Sequence, residues 1–506
     1  MTAVQDHPVE QRRTRGVSRR DSDGAAPVRG RTGRLRVPSL DTLFAGVFAL
    51  FGWGVGIERL SDNSFFWHLR TGGLILDHGL PHADPFSFTA HGAPWVGQSW
   101  LAELLYGVLD RAVGPFGIRL LGAVVGAAIG VLTFRIALRL SRDRTRGALL
   151  SVAALGGLYT LWSERPLLLG VLFLLLLVWL VEVPDSPIGR RPVLALPIVM
   201  WLWANVHGSF ALGFAYLGLH LVGRWIDGHR PWEGRERQLL IGSGAAFAAI
   251  FVNPYGVSLV TFPIHLMARS DILRHVVEWA SPDFHHVRGY AFALWIVIFV
   301  GVLARGPNRV SRRDLVVAVP FLLLACWALR NVAIAPLVGL PIVARAVAVD
   351  RPKREEARLG LGAVLAGVLV MLVVVIGVRA ASGPNFALDS YPVRAMTSVE
   401  RQGLLGRRLL VDDANGGYVI LRYGTRQPVF FDDRYDMYPR AVIEDYFKLA
   451  NATTGWDHVL RKYNVEVVVW DRAHPLTALL RQSGEWTTTY RDKTYAVEVR
   501  SDLLHG

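Results

Sequence analysis

Long apolar segments alternate with short polar turns along most of this chain, and this pattern predicts a bundle of membrane-spanning helices. The apolar runs lie near residues 40–57, 116–140, 148–162, 166–183, 192–205, 209–226, 239–252, 288–304, 314–330, 332–349 and 358–379. Several are shorter than the roughly 20 residues that a straight span needs, so those runs extend into polar turns or form broken helices. The pattern predicts a polytopic α-helical membrane domain over residues 40–380, with about eleven spans.

The polar turns of this domain alternate in their arginine content. Arginine-rich turns lie at residues 139–146, 190–191, 224–237, 305–313 and 351–354, and arginine-poor turns lie between them. Because basic turns remain in the cytoplasm, this alternation predicts a cytoplasmic N-terminus and outward-facing arginine-poor turns. Two of the outer loops are long, at residues 58–100 and 257–287, and the first contains an amphipathic piece at Trp67–Leu76.

The two ends of the chain differ from this domain. Residues 1–39 are polar and basic, which predicts a disordered cytoplasmic tail. Residues 384–506 alternate over shorter distances, and an odd number of spans puts them outside, so they predict a small extracytoplasmic α/β domain. Its predicted strands are 408–411, 428–431, 465–470, 487–490 and 495–500, and its predicted helices are 441–450 and 456–463.

Composition supports the membrane class and excludes several others. Only 19% of the residues are charged and 52% are hydrophobic, whereas a soluble protein carries about a quarter charged residues. The net charge of +14 does not indicate nucleic-acid binding, because the arginines lie in the short turns and the tail, where they face anionic lipid headgroups. The single cysteine, Cys326, excludes an intramolecular disulfide and a thiolate metal cluster. We expect no cleavable signal peptide, since the first apolar run begins near Leu40.

Polar clusters end several of the apolar runs, and the predicted orientation puts all of them on the outer side. An ionisable residue next to a bilayer is costly and usually has a function. The clusters are residues 62–68, 164–165, 205–208, 253–256, 278–279 and 330–331. Their convergence on one face predicts a functional site there.

Three residues in and just after the first cluster carry complementary chemistry. Asp62, His68 and Arg70 lie in one outer loop, where together they can handle a hydroxyl proton and a phosphate. The alternative for Asp62 is a helix cap or a solvated loop acid. Glu278 is a candidate second carboxylate, or else an interfacial acid beside an aromatic anchor.

Two arginines are candidate phosphate ligands. Arg330 ends a strongly apolar run on the predicted outer side and so opposes the positive-inside trend. Arg165 has the same candidate role, or else forms an ion pair with Glu164. Asn205 and His207 can bind a sugar or a phosphate oxygen, or simply cap a tight turn.

The last candidates lie in turns. In the C-terminal region, Asp433 and Arg434 follow a predicted strand and are interpreted as facing the membrane-side cleft. The earlier turn at residues 412–418 is interpreted as structural, as is 253–256, because Asp, Asn, Pro and Gly favour turns for conformational reasons. No residue is predicted to ligate a metal, and the adjacent His285 and His286 are only a weak hint.

Taken together, these features resemble the GT-C superfamily of integral-membrane glycosyltransferases, with distant similarity to oligosaccharyltransferase catalytic subunits and protein mannosyltransferases. The likeness rests on Asp62 just after the first span, the stretch Trp67–Gly72, broken outward helices and an outer α/β domain. It implies a sugar donor linked to polyprenyl phosphate, and Asp62 matches the acidic residue that serves as catalytic base or acceptor-binding residue.

The sequence also departs from that superfamily. Many members have paired acids in the first outer loop, whereas here the second position is Ser64, so a divalent cation remains open and no other cofactor is predicted. Residues 413–418 and 428–432 are loosely similar to the Trp-Trp-Asp-Tyr-Gly region of oligosaccharyltransferases. Both tryptophans are missing, so peptide recognition is not carried over.

The leading hypothesis is a membrane glycosyltransferase that transfers sugar from a polyprenyl-phosphate donor to an acceptor hydroxyl at the outer leaflet. Asp62 would accept the hydroxyl proton, His68 or Glu278 would orient it, and the arginines would stabilise the departing lipid phosphate. The acceptor is a glycan, a lipid or a protein. The alternative is a transporter or flippase for a lipid-linked glycan, or an assembly scaffold. A transporter places polar residues near the midplane and often has inverted repeats, which this sequence lacks.

Overall fold

A computed structural model describes residues 38–273, 276–349 and 359–504, and most of them are helical. The predicted tail, except for residues 38 and 39, and the basic turn 351–354 lie outside these residues. Up to the C-terminal region the helices are α1 (Leu40–Gly56), α2 (Asn63–His78), α3 (Trp100–Val113), α4 (Pro115–Ser141), α5 (Arg144–Tyr159), α6 (Leu167–Glu182), α7 (Pro192–Val206), α8 (Phe210–Ile226), α9 (Gly234–Ala249), α10 (Val257–Met267), α11 (Ser270–Leu273), α12 (Val287–Arg305), α13 (Arg312–Trp327), α14 (Ile334–Ala346) and α15 (Leu359–Ala381).

The apolar runs of the sequence form helices, as predicted, and the predicted outer loop 257–287 contains a further apolar helix, Val257–Met267. Four stretches of the described chain are long and apolar enough to cross a membrane: Pro115–Ser141, Val287–Arg305, Leu329–Ala346 and Leu361–Ala381. Five shorter apolar helices accompany them: Leu40–Gly56, Leu167–Glu182, Pro192–Val206, Phe210–Ile226 and Val257–Met267. The predicted count of about eleven spans stays a prediction, because short helices cross a bilayer only when extended or tilted.

Two of these stretches illustrate the range of burial in the bundle. In Leu329–Ala346, which includes α14, 83% of the residues are buried, whereas in Leu361–Ala381 of α15 only 6% are. A helix that is apolar all round is stable either inside a core or in lipid. The first helix therefore forms the centre of the bundle, and the second has the surface of a lipid-facing helix.

The C-terminal region combines a small sheet with short helices. The strands β1 (Leu409–Val411), β2 (Val467–Asp471), β3 (Trp486–Arg491) and β4 (Tyr495–Arg500) are ordered β1-β2-β4-β3. β1 is parallel to β2, and β4 is antiparallel to both β2 and β3. The helices are α16 (Val393–Arg401), α17 (Asp413–Tyr423), α18 (Arg440–Ala450), α19 (Trp456–Lys462) and α20 (Pro475–Gln482).

Two predictions for this region were wrong. Residues 428–431 do not form a ladder strand: the backbone of Val429 bonds to Phe86 and Phe88, whereas Phe430 N donates to Leu409 O, so the segment divides its hydrogen bonds between two partners. Residues 412–418 are not a turn but begin α17. Gly417 allows this helix to touch α2, because a Cβ there would lie 2.1 Å from Asn63 O.

The C-terminal region shares its core with α2 and α3. One continuous cluster of buried side chains includes Phe65 and Phe66 of α2, Tyr106 of α3, and Val419 and Phe431 of the C-terminal region. A second cluster fills the helical bundle. The predicted outer loop 58–100 is thus largely structured, and its helix α2 lies between the bundle and the C-terminal region, where the candidate site forms.

Candidate active site

A cavity of about 1000 Å³ lies where one end of the helical bundle meets the C-terminal region. Its polar lining includes Asp62, Asn63, Ser64, His68, Gln98, Arg165, His207, Ser209, Glu278, Arg330, Asn331, Asp413, Asp433, Tyr435, Asp436, Tyr446 and Asn451. Its apolar lining includes Leu212, Ala215, Phe262, Leu266, Met267, Leu324, Trp327 and Ile334. Five of the six polar clusters singled out in the sequence contribute lining residues, and the cluster at 253–256 does not.

Asp62 lies at the start of α2 and has three partners. As the N-cap residue it accepts a hydrogen bond through Oδ1 from Phe65 N, at 3.0 Å. Its Oδ2 accepts from Ser163 Oγ at 3.0 Å and lies 3.1 Å from Arg165 Nε. Asp62 is therefore a helix cap, as the alternative interpretation held, and it also lines the cavity.

Arg165 joins two carboxylates that are distant in the sequence. It precedes α6, and its guanidinium pairs with Asp62 and with Glu278. Burial lowers the pKa of Arg165, but the two carboxylates outweigh burial, so the pKa is raised. For Glu278 burial raises the pKa and Arg165 more than compensates, so the pKa is lowered. The alternative partner Glu164 instead accepts from Ser61 N at 3.1 Å.

Asp433 comes to the same place from the C-terminal region. Ser64 Oγ donates to its Oδ2, and Trp67 Nε1 donates to its Oδ1 at 2.8 Å. Burial raises the pKa of Asp433 to about 7, helped by the charges of nearby aspartates and opposed by Ser64 and Arg165. The carboxyl is thus poised to gain or lose a proton near neutral pH.

Arg330 is the least satisfied cation of the cavity. It lies between α13 and α14, and its guanidinium carbon is 4.7 Å from the centre of the Trp279 ring. Within the described chain it has no hydrogen bond or ion pair, and Glu278 acts on it only through its charge. A half-buried guanidinium with free donors in a cavity is suited to an anionic ligand.

Two histidines line the cavity with one ring nitrogen engaged. His68 Nδ1 lies 2.7 Å from Glu103 Oε1, and His207 Nδ1 lies 2.9 Å from Ser209 Oγ. Burial lowers the pKa of His68 well below its usual range. Neutral imidazoles that keep a second nitrogen available can bind hydroxyl groups.

Three predicted site residues do not line the cavity in the described structure, which corrects their assignment. Asn205 is buried beside it, accepting from Trp100 Nε1 at 2.9 Å and donating to Trp201 O at 2.8 Å. Arg70 lies on another face of α2, where its guanidinium packs against Gly424. The helical spacing of two residues from His68 turns Arg70 away from the cavity.

Arg434, the third, is fully buried between two carboxylates. It donates to Asp432 from Nε at 2.8 Å and from Nη2 at 2.7 Å, and its Nη1 lies 2.9 Å from Asp84. The rings of Trp67, Phe86 and Trp95 surround the guanidinium. Arg434 therefore links the C-terminal region to the segment after α2, which is a structural role.

Sequence reasoning missed several residues that the cavity depends on. Ser163 and Glu103 orient Asp62 and His68, and Asp413 accepts hydrogen bonds from Tyr435 and Tyr446 at 2.6 and 2.8 Å. One signal existed for Glu103: it shares a helical face with Tyr106 and Gly107, so a carboxylate there faces inward. Nothing in the sequence marked Ser163 as a site residue, because single serines are common in turns.

The donor set does not fit a resident metal ion. Among the described residues no group of three or more His, Cys, Asp and Glu side chains is arranged to hold one. Asp62 and Glu278 already share the guanidinium of Arg165. The chain itself therefore places a cation between these two carboxylates.

No protein-family model and no curated protein matches this sequence. Solved structures do match in fold. Oligosaccharyltransferase AglB from Archaeoglobus fulgidus, in complex with an inhibitory peptide and a dolichol-phosphate, has TM-score 0.51 and 12% identity over 85% of this chain and 69% of that chain. ArnT from Cupriavidus metallidurans, bound to undecaprenyl phosphate, has TM-score 0.51 and 14% identity over 90% of this chain and 97% of that chain.

The chain therefore shares the fold of these two proteins, so the resemblance inferred from the sequence is confirmed at the level of fold. The apolar helices, together with this fold, support a membrane location. Activity is argued from the site, because one fold hosts many functions.

Proposed function

We propose that this protein is a membrane glycosyltransferase that moves a sugar from a polyprenyl-phosphate-linked donor to an acceptor hydroxyl. The observation that carries the proposal is a single cavity in which carboxylates and arginines meet an apolar wall of helices. A lipid-linked sugar has the same division, with a charged phosphate between a polar sugar and a hydrocarbon tail. The bound lipids of the two matching structures, dolichol-phosphate and undecaprenyl phosphate, support the same class of donor.

The donor phosphate fits Arg330. Its guanidinium faces the cavity without a protein partner in the described chain and is held in place over the Trp279 ring. Two N–H groups of a guanidinium match two phosphate oxygens, and such charge-assisted bonds are among the strongest in proteins. The polyprenyl tail would lie along the apolar wall formed by α8, α10 and α13.

Asp433 suits the role of general base better than Asp62, to which the sequence analysis assigned it. Both carboxyl groups have both oxygens engaged, but Asp62 is held by the positively charged Arg165 in addition to the α2 backbone and Ser163. The hydrogen-bond donors to Asp433 are the neutral groups of Ser64 and Trp67, and burial raises its pKa to about 7. A base works best when its pKa lies near the working pH.

The transfer step then balances as follows. The acceptor oxygen bonds to the anomeric carbon of the donor sugar while its proton passes to Asp433. The bond from that carbon to the phosphate oxygen breaks, and its electron pair leaves with the polyprenyl phosphate. Arg330 stabilises the charge that develops on this leaving group. Asp62, Arg165 and Glu278 form the frame that holds the acceptor side of the cavity in shape.

The arginine pattern supports one orientation of the protein in the membrane. The arginine-rich turns support a cytoplasmic N-terminus, and the cavity would then face the outer leaflet together with the C-terminal region. In that position the donor comes from the membrane and the acceptor, whether glycan, lipid or protein, from outside.

The test is release of polyprenyl phosphate by the purified full chain in lipid nanodiscs, supplied with a panel of polyprenyl-phosphate sugars and acceptors. We expect release by the native protein, and strong loss in Asp433→Asn and in Asp62→Asn. The remaining activity of Asp62→Asn should keep the rise across pH 7 that Asp433 confers. Asp445→Asn is the matched control, since Asp445 pairs with Lys448 and Lys462 and lies outside the cavity lining. A folded native protein that releases nothing would contradict the proposal and favour the transporter or scaffold alternative.

A further inference from the structure

A buried carboxylate outside the set used above holds one of the cavity histidines. His68 of α2 and Glu103 of α3 meet through Nδ1 and Oε1 at 2.7 Å. The two helices approach closely at a glycine contact, since a Cβ on Gly107 would lie 2.5 Å from Gly72 O. This contact aligns α2 with α3 so that the two side chains face each other.

The pair is costly for a role in stability alone. The exposed fraction is 5% for His68 and 1% for Glu103, and Glu103 Oε2 is buried without any hydrogen-bond partner in the described chain. An unsatisfied buried polar atom destabilises a fold, so a purely structural contact would be better served by apolar residues.

Only one ring nitrogen of His68 is engaged by the protein in the described chain. Glu103 takes Nδ1, which leaves Nε2 of His68 without a partner among the described residues, and the ring lines the cavity. A carboxylate that fixes one ring nitrogen sets the tautomer and the orientation of the other. His68 therefore has the geometry of an oriented ligand for a hydroxyl group.

We propose that His68 and Glu103 form a dyad in which Glu103 is a positioning residue and His68 Nε2 hydrogen-bonds to a sugar hydroxyl of the bound substrate. This inference rests on the proposed glycosyltransferase function and extends it to a specific contact. It uses no metal and no proton transfer to substrate, because a neutral imidazole binds a hydroxyl either as donor or as acceptor.

The charges around the dyad agree with an uncharged pair. Burial raises the pKa of Glu103 to about 8 and lowers that of His68. The groups that act on them from the neighbouring elements are His207 after α7, Arg165 before α6, and Arg434 and Asp436 of the C-terminal region. The pair thus holds a neutral imidazole at neutral pH, which suits hydroxyl binding.

Two substitutions of His68 separate the two ring nitrogens. The amide of His68→Gln reaches the position of Nε2, whereas the shorter amide of His68→Asn reaches that of Nδ1. If Nε2 contacts substrate, we expect His68→Asn to lose about 10- to 100-fold in kcat/KM and His68→Gln to lose less. Equal activities, or a more active Asn variant, would overturn the proposal and leave His68 as a structural partner of Glu103.

Variants of Glu103 test the positioning role. We expect Glu103→Ala to lose about 10- to 100-fold, as removal of an orienting carboxylate does elsewhere, and Glu103→Gln to recover part of that loss. Glu498→Gln is the matched control, since Glu498 is 1% exposed, pairs with Arg481 in the C-terminal sheet and lies outside the cavity lining. A Glu103→Ala enzyme as active as that control would overturn the positioning role.

A readout that does not depend on turnover separates the dyad from the proposed function. In the ¹⁵N-histidine-labelled full chain, the resonances of His68 are those that disappear in His68→Gln. We expect Glu103→Ala to shift Nδ1, and addition of a polyprenyl-phosphate sugar to shift Nε2. Native transfer with an unmoved Nε2 overturns the dyad, whereas absence of transfer with both shifts present overturns only the transferase function.

Discussion

Two buried clusters of charged residues lie at opposite ends of α6, and they differ in how completely their charges are satisfied. In the cluster at the end of α6 remote from the cavity, all the carboxylates are paired with arginines. Glu182 binds Arg313, Arg345 and the Tyr216 hydroxyl, and Asp314 binds the same two arginines at 2.5 and 2.7 Å. Each of the two carboxylates pairs with two arginines, so the cluster has the composition of a structural ion-pair network that joins four helices.

The cavity cluster has the same residue types but leaves some of them free. Arg165 is shared by Asp62 and Glu278, whereas Arg330 has no such partner in the described chain, and burial holds the pKa of Asp433 near 7. Incomplete pairing in a buried setting is costly, and proteins retain it where a ligand completes the pairing. Incomplete pairing of charges, more than burial, therefore distinguishes a site from a structural ion cluster.

Substitution of Asp433, the proposed general base, should change the activity most. Asp433→Asn should reduce kcat by about 10²–10⁴-fold, because general-base catalysis contributes a factor of that size. The base acts when deprotonated, so native activity should rise with pH through about 7, the raised pKa of Asp433, and the variant should lose that rise. Initial rates of polyprenyl phosphate release between about pH 5.5 and 8.5 measure both. An unchanged profile in the variant would assign the base elsewhere.

A substitution in the cluster around Glu182 should instead lower the stability of the protein. Arg313→Ala leaves Glu182 without its closest cation, and breaking a buried pair in this way costs about 3–5 kcal/mol. We expect the free energy of unfolding in lipid to fall by that amount while the folded fraction keeps its KM for the donor. Arg313→Lys, which retains the charge, is the control. A stable but inactive Arg313→Ala protein would contradict a structural role.

Substitution of Arg330 should instead weaken donor binding and leave the stability almost unchanged. Arg330→Ala removes a cation that no carboxylate in the described chain pairs with, so unfolding should change little. Loss of charge-assisted bonds to a phosphate, worth about 1.5–3 kcal/mol, should raise the donor KM by about 10- to 100-fold. Arg330→Lys should fall between, because lysine lacks the guanidinium fork. A variant that affects only the acceptor KM would exchange the two subsites.

The smallest effect is expected at Arg70. It lies outside the cavity lining and is exposed, and exposed substitutions usually change stability by less than about 0.5 kcal/mol. Arg70→Ala should therefore match the native protein in donor KM, kcat and unfolding. A clear loss of donor binding in this variant would return Arg70 to the site and weaken the geometric assignment of Arg330.

The sequence alone was sufficient for the helical class and for most of the cavity. Apolar runs must become helices in a membrane, because their backbone groups find no other partners there. Polar residues at the ends of such runs are costly, so Asp62, Arg165, His207, Glu278 and Arg330 were recognisable individually. The hydrophobic periodicity also located α18, α19 and β4 with little error.

Which of these charges are paired depends on packing between distant segments. Arg434 and Asp433 are neighbours in the sequence, yet one is locked between Asp432 and Asp84 and the other faces the cavity. The difference depends on the distant segments that pack on each side of the residue, and no local pattern encodes them. For the same reason the partners of Glu103 and Ser163 emerged only when α2 had been placed against α3 and against the segment before α6. A residue's chemistry is written in the sequence, but its partners are set by packing between segments far apart in the chain.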